Sequence, residues 1–402
     1  VIVTHLSLTD FRNYRSAEVT LMPGPNLFVG SNGQGKTNLV ESLGFLSTLG
    51  SHRVSSDHAM VRQGSDAAII RARLEYEDRR LLAEVQINRT GANRAQINRA
   101  QIKTKDLPRY FSSVLFAPED LALVRGEPSG RRRFLDQLLV LLSPRYSGVI
   151  TDYERVLKQR NSLLKSARSS GIKGTQLTTL DIWDDQLVSL GSEIIEARTN
   201  LVARLLPDVT GAYQTVAGED HHATLSHYLT VSEREAENSD AEVRGNSPRT
   251  WPGTQIMSAE EAAGNFRQAL TRFRRSEIDR GMTLVGPHRD DLVFELNNMQ
   301  ARGYASHGES WSFALALKLA SAGLLRREST TGDPVLILDD VFAELDESRR
   351  VRLAAAVDGF EQVLITAAVL DDVPQALTAH TVLIAGGVIV EPHHDIQEEK
   401  NR

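Results

Sequence analysis

Within residues 1 to about 135, several runs place apolar side chains at every second position, while Leu39, Val40, Leu43, Leu46 and Leu49 have a helical spacing. Val1-Ile2-Val3-Thr4-His5-Leu6 opens with the alternation, and Ala68–Tyr76 and Leu81–Ile87 repeat it, which predicts antiparallel strands. Leu27-Phe28-Val29 and Val114-Leu115-Phe116 are uninterrupted apolar runs and predict short buried strands. From Gly130 the spacing changes. Phe134, Leu135, Leu138, Leu139 and Leu142 form one helical stripe, continued by Val156, Leu163 and Leu164. Trp183, Leu187, Leu190, Ile194, Ile195, Leu201 and Leu205 form a second, with a break at Ser170–Gly174 between them. Helices of up to ~40 residues would make an arm no longer than about 60 Å. The stretch 220–254 is rich in His, Glu, Asn, Ser and Pro and predicts an exposed loop or disorder around 232–253. Helical spacing returns over Ser258–Arg280 and Trp311–Leu325, and Pro334–Leu338 and Val363–Thr366 read as buried strands.

Composition narrows this picture only a little. The 402 residues are 41% hydrophobic and 24% charged, without an apolar run long enough for a membrane span. The N-terminus lacks the charged start and cleavage site of a signal peptide, so a cytoplasmic protein is expected. The chain has no cysteine, which excludes disulfides, thiolate metal sites and cysteine nucleophiles. The net charge of −6 is unevenly spread: residues 1–135 hold 19 Lys and Arg against 13 Asp and Glu, leaving 27 against 39 in the remainder. A local basic face on an acidic protein is compatible with nucleic acid. Arg89, Arg94, Arg99, Lys103, Lys105 and Arg131–Arg133 are its candidate contacts, with no interleaved aromatics to stack on bases.

The chemistry is concentrated in two motifs. Gly30-Ser31-Asn32-Gly33-Gln34-Gly35-Lys36-Thr37 fits the phosphate-binding loop pattern at every fixed position, between a predicted strand and a predicted helix. Its amides would face phosphate oxygens, Lys36 would reach the β- and γ-phosphates, and the Thr37 hydroxyl would ligate Mg²⁺. Pro334–Leu338 delivers Asp339 and Asp340 from a buried strand, the Walker B arrangement. Asp339 would face Mg²⁺, and Asp340 would orient or deprotonate the attacking water.

About 300 residues separate Lys36 from Asp339, far more than in small GTPases or nucleotide kinases, and the chain has no Asn-Lys-x-Asp guanine-reading motif. Such a separation points to ABC-type ATPase heads of the SMC kind. These need a signature that caps the γ-phosphate of a partner subunit. Ser306 and Gly308, at the start of a helical run ~30 residues before Asp339, are the candidates. Ala343-Glu344-Leu345-Asp346 fits a turn at the dimer face, Thr366 a γ-phosphate sensor, and Pro118-Glu119-Asp120 the place of the glutamine loop. The fold expected is α/β: an ABC-type, SMC-like P-loop head built from 1–135 and 281–390, an inserted helical arm over 136–280, and a polar tail over 391–402. Three other readings are weaker. A transport subunit fits poorly with the long insertion and the lack of an apolar membrane-facing patch. A cohesin-like tether would need far longer arms. A hydrolase could use His288 with Asp290 and Asp291, but a strand-end turn is the better account of those residues.

The chain resembles the RecF family of bacterial recombination mediators. The resemblance rests on Leu8–Tyr14, the phosphate loop, Phe116–Leu121, Gly126–Pro128 with Arg131–Asp136, Val285–Leu292 and the Walker B–Glu344-Leu345-Asp346 stretch. It departs at the signature, where Ser306-His307-Gly308-Glu309-Ser310-Trp311 lacks the family's usual Gln and following Arg. The resemblance implies a weak, DNA-dependent ATPase that uses ATP and Mg²⁺, with Arg12 and Asn13 joining the nucleotide site. It also implies an ATP-dependent homodimer on single-stranded or gapped DNA, cooperation with RecR and RecO in loading RecA, and roles in replication and SOS induction.

Overall fold

The N-terminal alternation folds as read. β1 (Ile2–Phe11) and β2 (Tyr14–Thr20) form a hairpin, followed by β3 (Gly24–Val29), α1 (Lys36–Thr48), β4 (Ala67–Tyr76), β5 (Arg79–Asn88), β6 (Arg94–Ile97), β7 (Ala100–Ile102) and β8 (Ser113–Phe116). Six of these strands pair antiparallel in the order β2-β1-β4-β5-β6-β7. One face is the core, with Val3, Leu6, Ile70, Leu74 and Val85 buried. The other is polar, where Arg71 and Glu84 sit opposite each other and form an ion pair across the strands. This computed structural model describes residues 1–54, 56–170, 178–219, 221–232, 251–329 and 332–390.

Helices then dominate: α2 (Leu121–Arg125), α3 (Pro128–Leu142), α4 (Tyr146–Ser169) and α5 (Thr178–Ala217). At 24 and 40 residues, α4 and α5 would extend about 36 and 60 Å. β9 (Thr224–Tyr228), β10 (Trp251–Pro252), α6 (Ala259–Arg280), β11 (Asp291–Leu296), β12 (Met299–Gln300), α7 (Ala301–Tyr304) and α8 (His307–Glu328) follow. The stretch 220–254, read as an exposed polar insertion, is corrected in part: β9 is a strand inside a four-stranded sheet ordered β10-β9-β11-β12, while most of the loop expected around 232–253 lies outside the described residues. Its Ser226 and His227 are buried, so polar residue types hide a core strand. Residues 233–250 and the tail 391–402 lie outside the described residues. The helices are held partly by charge. Fully buried Arg160 on α4 donates to Asp184 on α5 at 2.6 Å, Glu277 on α6 at 2.6 Å and Thr283 at 2.8 Å.

The chain returns with β13 (Val335–Asp339), α9 (Glu347–Val357), β14 (Gln362–Ala367), β15 (His380–Ala385) and β16 (Val388–Val390). These complete a second six-stranded sheet, β16-β15-β3-β14-β13-β8, parallel except for its β16 edge. β13 is buried along its whole length, as its apolar sequence requires. β14 lies between β3 and β13, so the carboxyl ends of three strands stand side by side, where ligands bind in parallel α/β sheets. Among the described residues, those of 1–120, 214–219 and from Ala314 onward form one compact unit, and those of 121–213 and 221–313 form another. These divisions differ from the sequence-level boundaries near 135 and 280. α3 belongs with β11 through the Arg131–Asp291 pair, and Phe294 of β11 stacks on Phe313 of α8.

Candidate nucleotide site

The loop between β3 and α1 has the geometry that its glycines permit. Gly35 caps α1 at φ 113°, a conformation that side chains disfavour, and an added Cβ would lie 2.7 Å from Asn13 and Tyr14. A Cβ on Gly30 would meet the Ile384 carbonyl at 2.2 Å. The loop is pinned from two sides. Asn13 Nδ2 donates to the Gln34 carbonyl at 3.2 Å, and Tyr14 donates its hydroxyl proton to the Gly35 carbonyl at 3.1 Å. At the β15–β16 turn, the Gly386 amide donates to Gln34 Oε1 and the Gly387 amide to the Gln34 carbonyl. Ser31, Asn32 and Gly33 remain exposed at the tip.

Lys36 is buried, and its Nζ donates to the Gly30 and Ser31 carbonyls at 2.6 and 3.2 Å, inside the loop. Burial pushes its pKa down, against the attraction of Asp340 and Asp339. Asp339 is buried too, and burial pushes its carboxyl up despite hydrogen bonds from Thr366 and Thr37. Phosphate charge beside Lys36 and a cation beside Asp339 would each offset the cost of that desolvation.

Thr37 and Thr366, from α1 and β14, both donate to Asp339 Oδ1, at 3.0 and 2.6 Å. The Thr366 hydroxyl also accepts the Asp340 amide at 2.9 Å, so the side chain read as a γ-phosphate sensor here bridges the two carboxylate residues. Asp340 has φ 54°, and its Oδ1 is buried without a hydrogen-bond partner. A hydroxyl and one carboxylate are hard oxygen donors that suit Mg²⁺, which takes its other ligands from nucleotide phosphates and water rather than from a protein cage. No cluster of three or more His, Asp or Glu side chains that could hold a metal ion occurs among the described residues. Thr37 and Asp339 would hold the ion.

His52 and Glu41, beside this core, have no counterpart among the residues expected from the sequence. His52 Nε2 lies 3.9 Å from Asp339 Oδ2, and the Glu119 charge is felt at both His52 and Asp339. Glu41, fully buried on α1, receives Arg12 through Nε and Nη2 at 2.9 and 2.6 Å. No motif spacing announces a carboxylate in mid-helix or a histidine in the turn beyond it. Beside the loop, Arg12, Asn13, Asn38, Arg53, His58 and Arg89 line an open cleft of about 480 Å³.

The remaining candidates separate clearly. Ser306 and Glu309 form a reciprocal capping box at the start of α8: the Ser306 amide donates to Glu309 Oε2 at 2.7 Å, and the Glu309 amide to Ser306 Oγ at 3.2 Å. Ser306 is nonetheless exposed, with the half-buried Gly308 beside it. Ala343, Glu344 and Asp346 are also exposed. Arg131 is buried and bidentate to Asp291, and Arg132 donates to the Asp290 carbonyl at 2.8 Å, so both support the β11 region. Arg89 donates to the Ser65, Val61 and Arg62 carbonyls. Arg133 is exposed on α3, and Arg94, Arg99, Lys103 and Lys105 are exposed on and just after the β6–β7 hairpin. In the His288–Asp290–Asp291 group, His288 pairs with Tyr153, Asp290 Oδ1 accepts from Thr230 while its Oδ2 is buried without a hydrogen-bond partner, and Asp291 holds Arg131. No helix among the described residues is long and apolar enough to cross a membrane.

A P-loop and a Walker B carboxylate joined on one parallel sheet, with an antiparallel sheet in the same unit and a helical insertion between the motifs, define an SMC-type ATPase head. The RecF/RecN/SMC N-terminal domain model matches residues 2–388. The DNA replication and repair protein RecF of Leifsonia xyli subsp. xyli is 65% identical over 97% of this chain and 99% of its own length; that of Streptomyces avermitilis is 50% identical over 96% and 99%. A solved structure of the recombination mediator protein RecF with ATPrS in the RecFOR pathway superimposes with a TM-score of 0.83, at 26% identity and 98% coverage of both chains. An Smc head domain from Pyrococcus furiosus, at TM-score 0.50 and 13% identity over 96% of this chain and 94% of its own, shares the fold. The chain belongs to the RecF family.

Proposed function

We propose that this protein is an ATP-driven DNA-binding switch of recombinational repair. The observation that supports it best is the convergence of Thr37 and Thr366 on Asp339, beside Lys36 in a pinned phosphate loop. Gly30–Thr37 bind the phosphates of ATP, Arg12 and Asn13 border the rest of the nucleotide, and Thr37 with Asp339 holds Mg²⁺, which polarises the γ-phosphate when bound. Asp340, its backbone fixed by Thr366, takes the proton of the attacking water. Two copies close on ATP, each presenting Ser306 and the Gly308 amide to the other's γ-phosphate, and slow hydrolysis reopens them. Solved RecF structures are described with ATP or ATPrS in the RecFOR pathway, which favours RecR and RecO as partners and RecA loading at gaps as the outcome. DNA replication and SOS induction are the processes it would serve in the cytoplasm.

Arg94, Arg99, Lys103 and Lys105, exposed on and just after the β6–β7 hairpin, are the cations best placed for a DNA backbone; Arg89, Arg131 and Arg132 already serve the fold. Fluorescence anisotropy with gapped duplex DNA tests this. Binding is expected to require Mg-ATP. Arg94→Glu with Lys105→Glu is expected to weaken it and to flatten the salt slope by about 0.7–0.9 for each phosphate no longer neutralised. DNA binding that is indifferent to both ATP and the double substitution would refute the switch and this choice of face.

A further inference from the structure

The turn after α1 carries a histidine that the proposed reaction leaves without a task. Ser51 builds that turn: its hydroxyl donates to Glu41 and accepts the Arg53 and Val54 amides at 2.9 and 3.2 Å. Glu41 is clamped from its other side by Arg12. Arg12 is fixed in turn by its bond to the Ala59 carbonyl at 3.1 Å. Four residues therefore hold one short turn, and the side chain that the turn delivers toward the carboxylates is His52.

His52 Nε2 is buried and has no hydrogen-bond partner. An orphaned buried nitrogen is costly, and native proteins retain few of them without a functional reason. Its nearest acidic oxygen is Asp339 Oδ2 at 3.9 Å, too far for a direct hydrogen bond and within the range of a charge interaction. The two hydroxyls on Asp339 both bind Oδ1, so Oδ2 is the oxygen left for His52 to orient. A histidine present only to fill space would not need its nitrogen here; a phenylalanine would pack without leaving a polar atom unpaired.

We infer that His52 is a positioning residue for ATP hydrolysis: its Nε2, facing the Oδ2 side of Asp339, fixes the carboxylate that faces Mg²⁺. His52 does not itself ligate the ion, which prefers oxygen. Partners of this kind, behind a metal's own ligands, set ligand orientation and are worth 10–100-fold in metal affinity or activity when removed. This role rests on the ATPase reading above.

The test uses the full chain with His52→Phe, which fills the space without a nitrogen, and His52→Gln, which restores a polar nitrogen. ATP affinity is measured by calorimetry in EDTA and across a Mg²⁺ titration, alongside turnover at saturating Mg-ATP. For His52→Phe the Mg²⁺ needed for half-maximal effect is expected to rise about tenfold and turnover to fall about tenfold. Affinity in EDTA and the melting temperature should stay unchanged, and His52→Gln should recover much of both losses. If His52→Phe melts early, His52→Ala replaces it in the same comparison. A variant without the nitrogen but with wild-type Mg²⁺ dependence and turnover overturns the role of His52, as does a glutamine variant no better than phenylalanine. Wild-type protein that fails to bind ATP in Mg²⁺ overturns instead the ATPase reading itself.

Discussion

Lys36→Ala is expected to lower ATP affinity by roughly 10²–10³-fold, through the loss of charge-assisted hydrogen bonds worth about 1.5–3 kcal/mol each. The basis is the position of Nζ, buried within the loop and 2.6 Å from the Gly30 carbonyl. Burial already weakens the hold of this ammonium on its proton, so its interaction with phosphate is made in a poorly solvated place where each charge pairing counts for more. Alanine is a good residue at the start of α1, and Gly35 still sets the entry to the helix, so folding should be preserved. Lys36→Arg should not restore binding, because a planar guanidinium cannot occupy the space of a compact ammonium. Calorimetric titration with Mg-ATP, beside a thermal melt, separates loss of binding from loss of fold. Near-wild-type affinity in Lys36→Ala would remove the phosphate loop from the account.

Asp340→Asn should separate binding from turnover. A fall of at least about 10²-fold in phosphate release is expected, the size of a missing general base, with ATP affinity changed little. Asp340 lies at φ 54°, a region that asparagine tolerates well, so the substitution keeps the backbone. Its amide stays on the Thr366 hydroxyl and the Asp339 pairs are untouched. What changes is the carboxylate oxygen that is buried and unpaired, the one free to take a proton. Single-turnover phosphate release with bound ATP measures this step alone. Turnover within a few-fold of wild type would assign the base elsewhere, with Glu119, whose charge reaches Asp339, the first candidate.

Much of this site was legible in the sequence because its parts are local. A phosphate loop must be contiguous, so Gly30–Thr37 declares itself, and a carboxylate at the end of a wholly apolar strand marks Asp339 almost as clearly. Alternation in β4 and β5 and helical stripes in α3–α6 likewise follow from one buried face. What stayed hidden depends on pairing between distant residues. Arg12, Glu41, Ser51 and His52 form a chain across two elements and a turn, and none has a spacing that signals its partner. Thr366 looked free to sense phosphate because nothing in the sequence showed that its hydroxyl lies between Asp339 and Asp340. The same is true of Arg131: in a run of three arginines it resembles a basic patch, yet Asp291, 160 residues away, holds it inside the fold. β9 was missed because its buried Ser226 and His227 carry the letters of a loop.

In the proposed switch, ATP joins two copies through Ser306 and the phosphate loop. Light scattering on Asp340→Asn, with and without Mg-ATP, tests it most directly. The solution mass is expected to double with ATP, and adding Ser306→Arg, which places a bulky cation at the exposed start of α8, is expected to abolish the doubling while ATP still binds. A mass that stays at one chain with ATP demonstrably bound, or a dimer indifferent to Ser306→Arg, would contradict it.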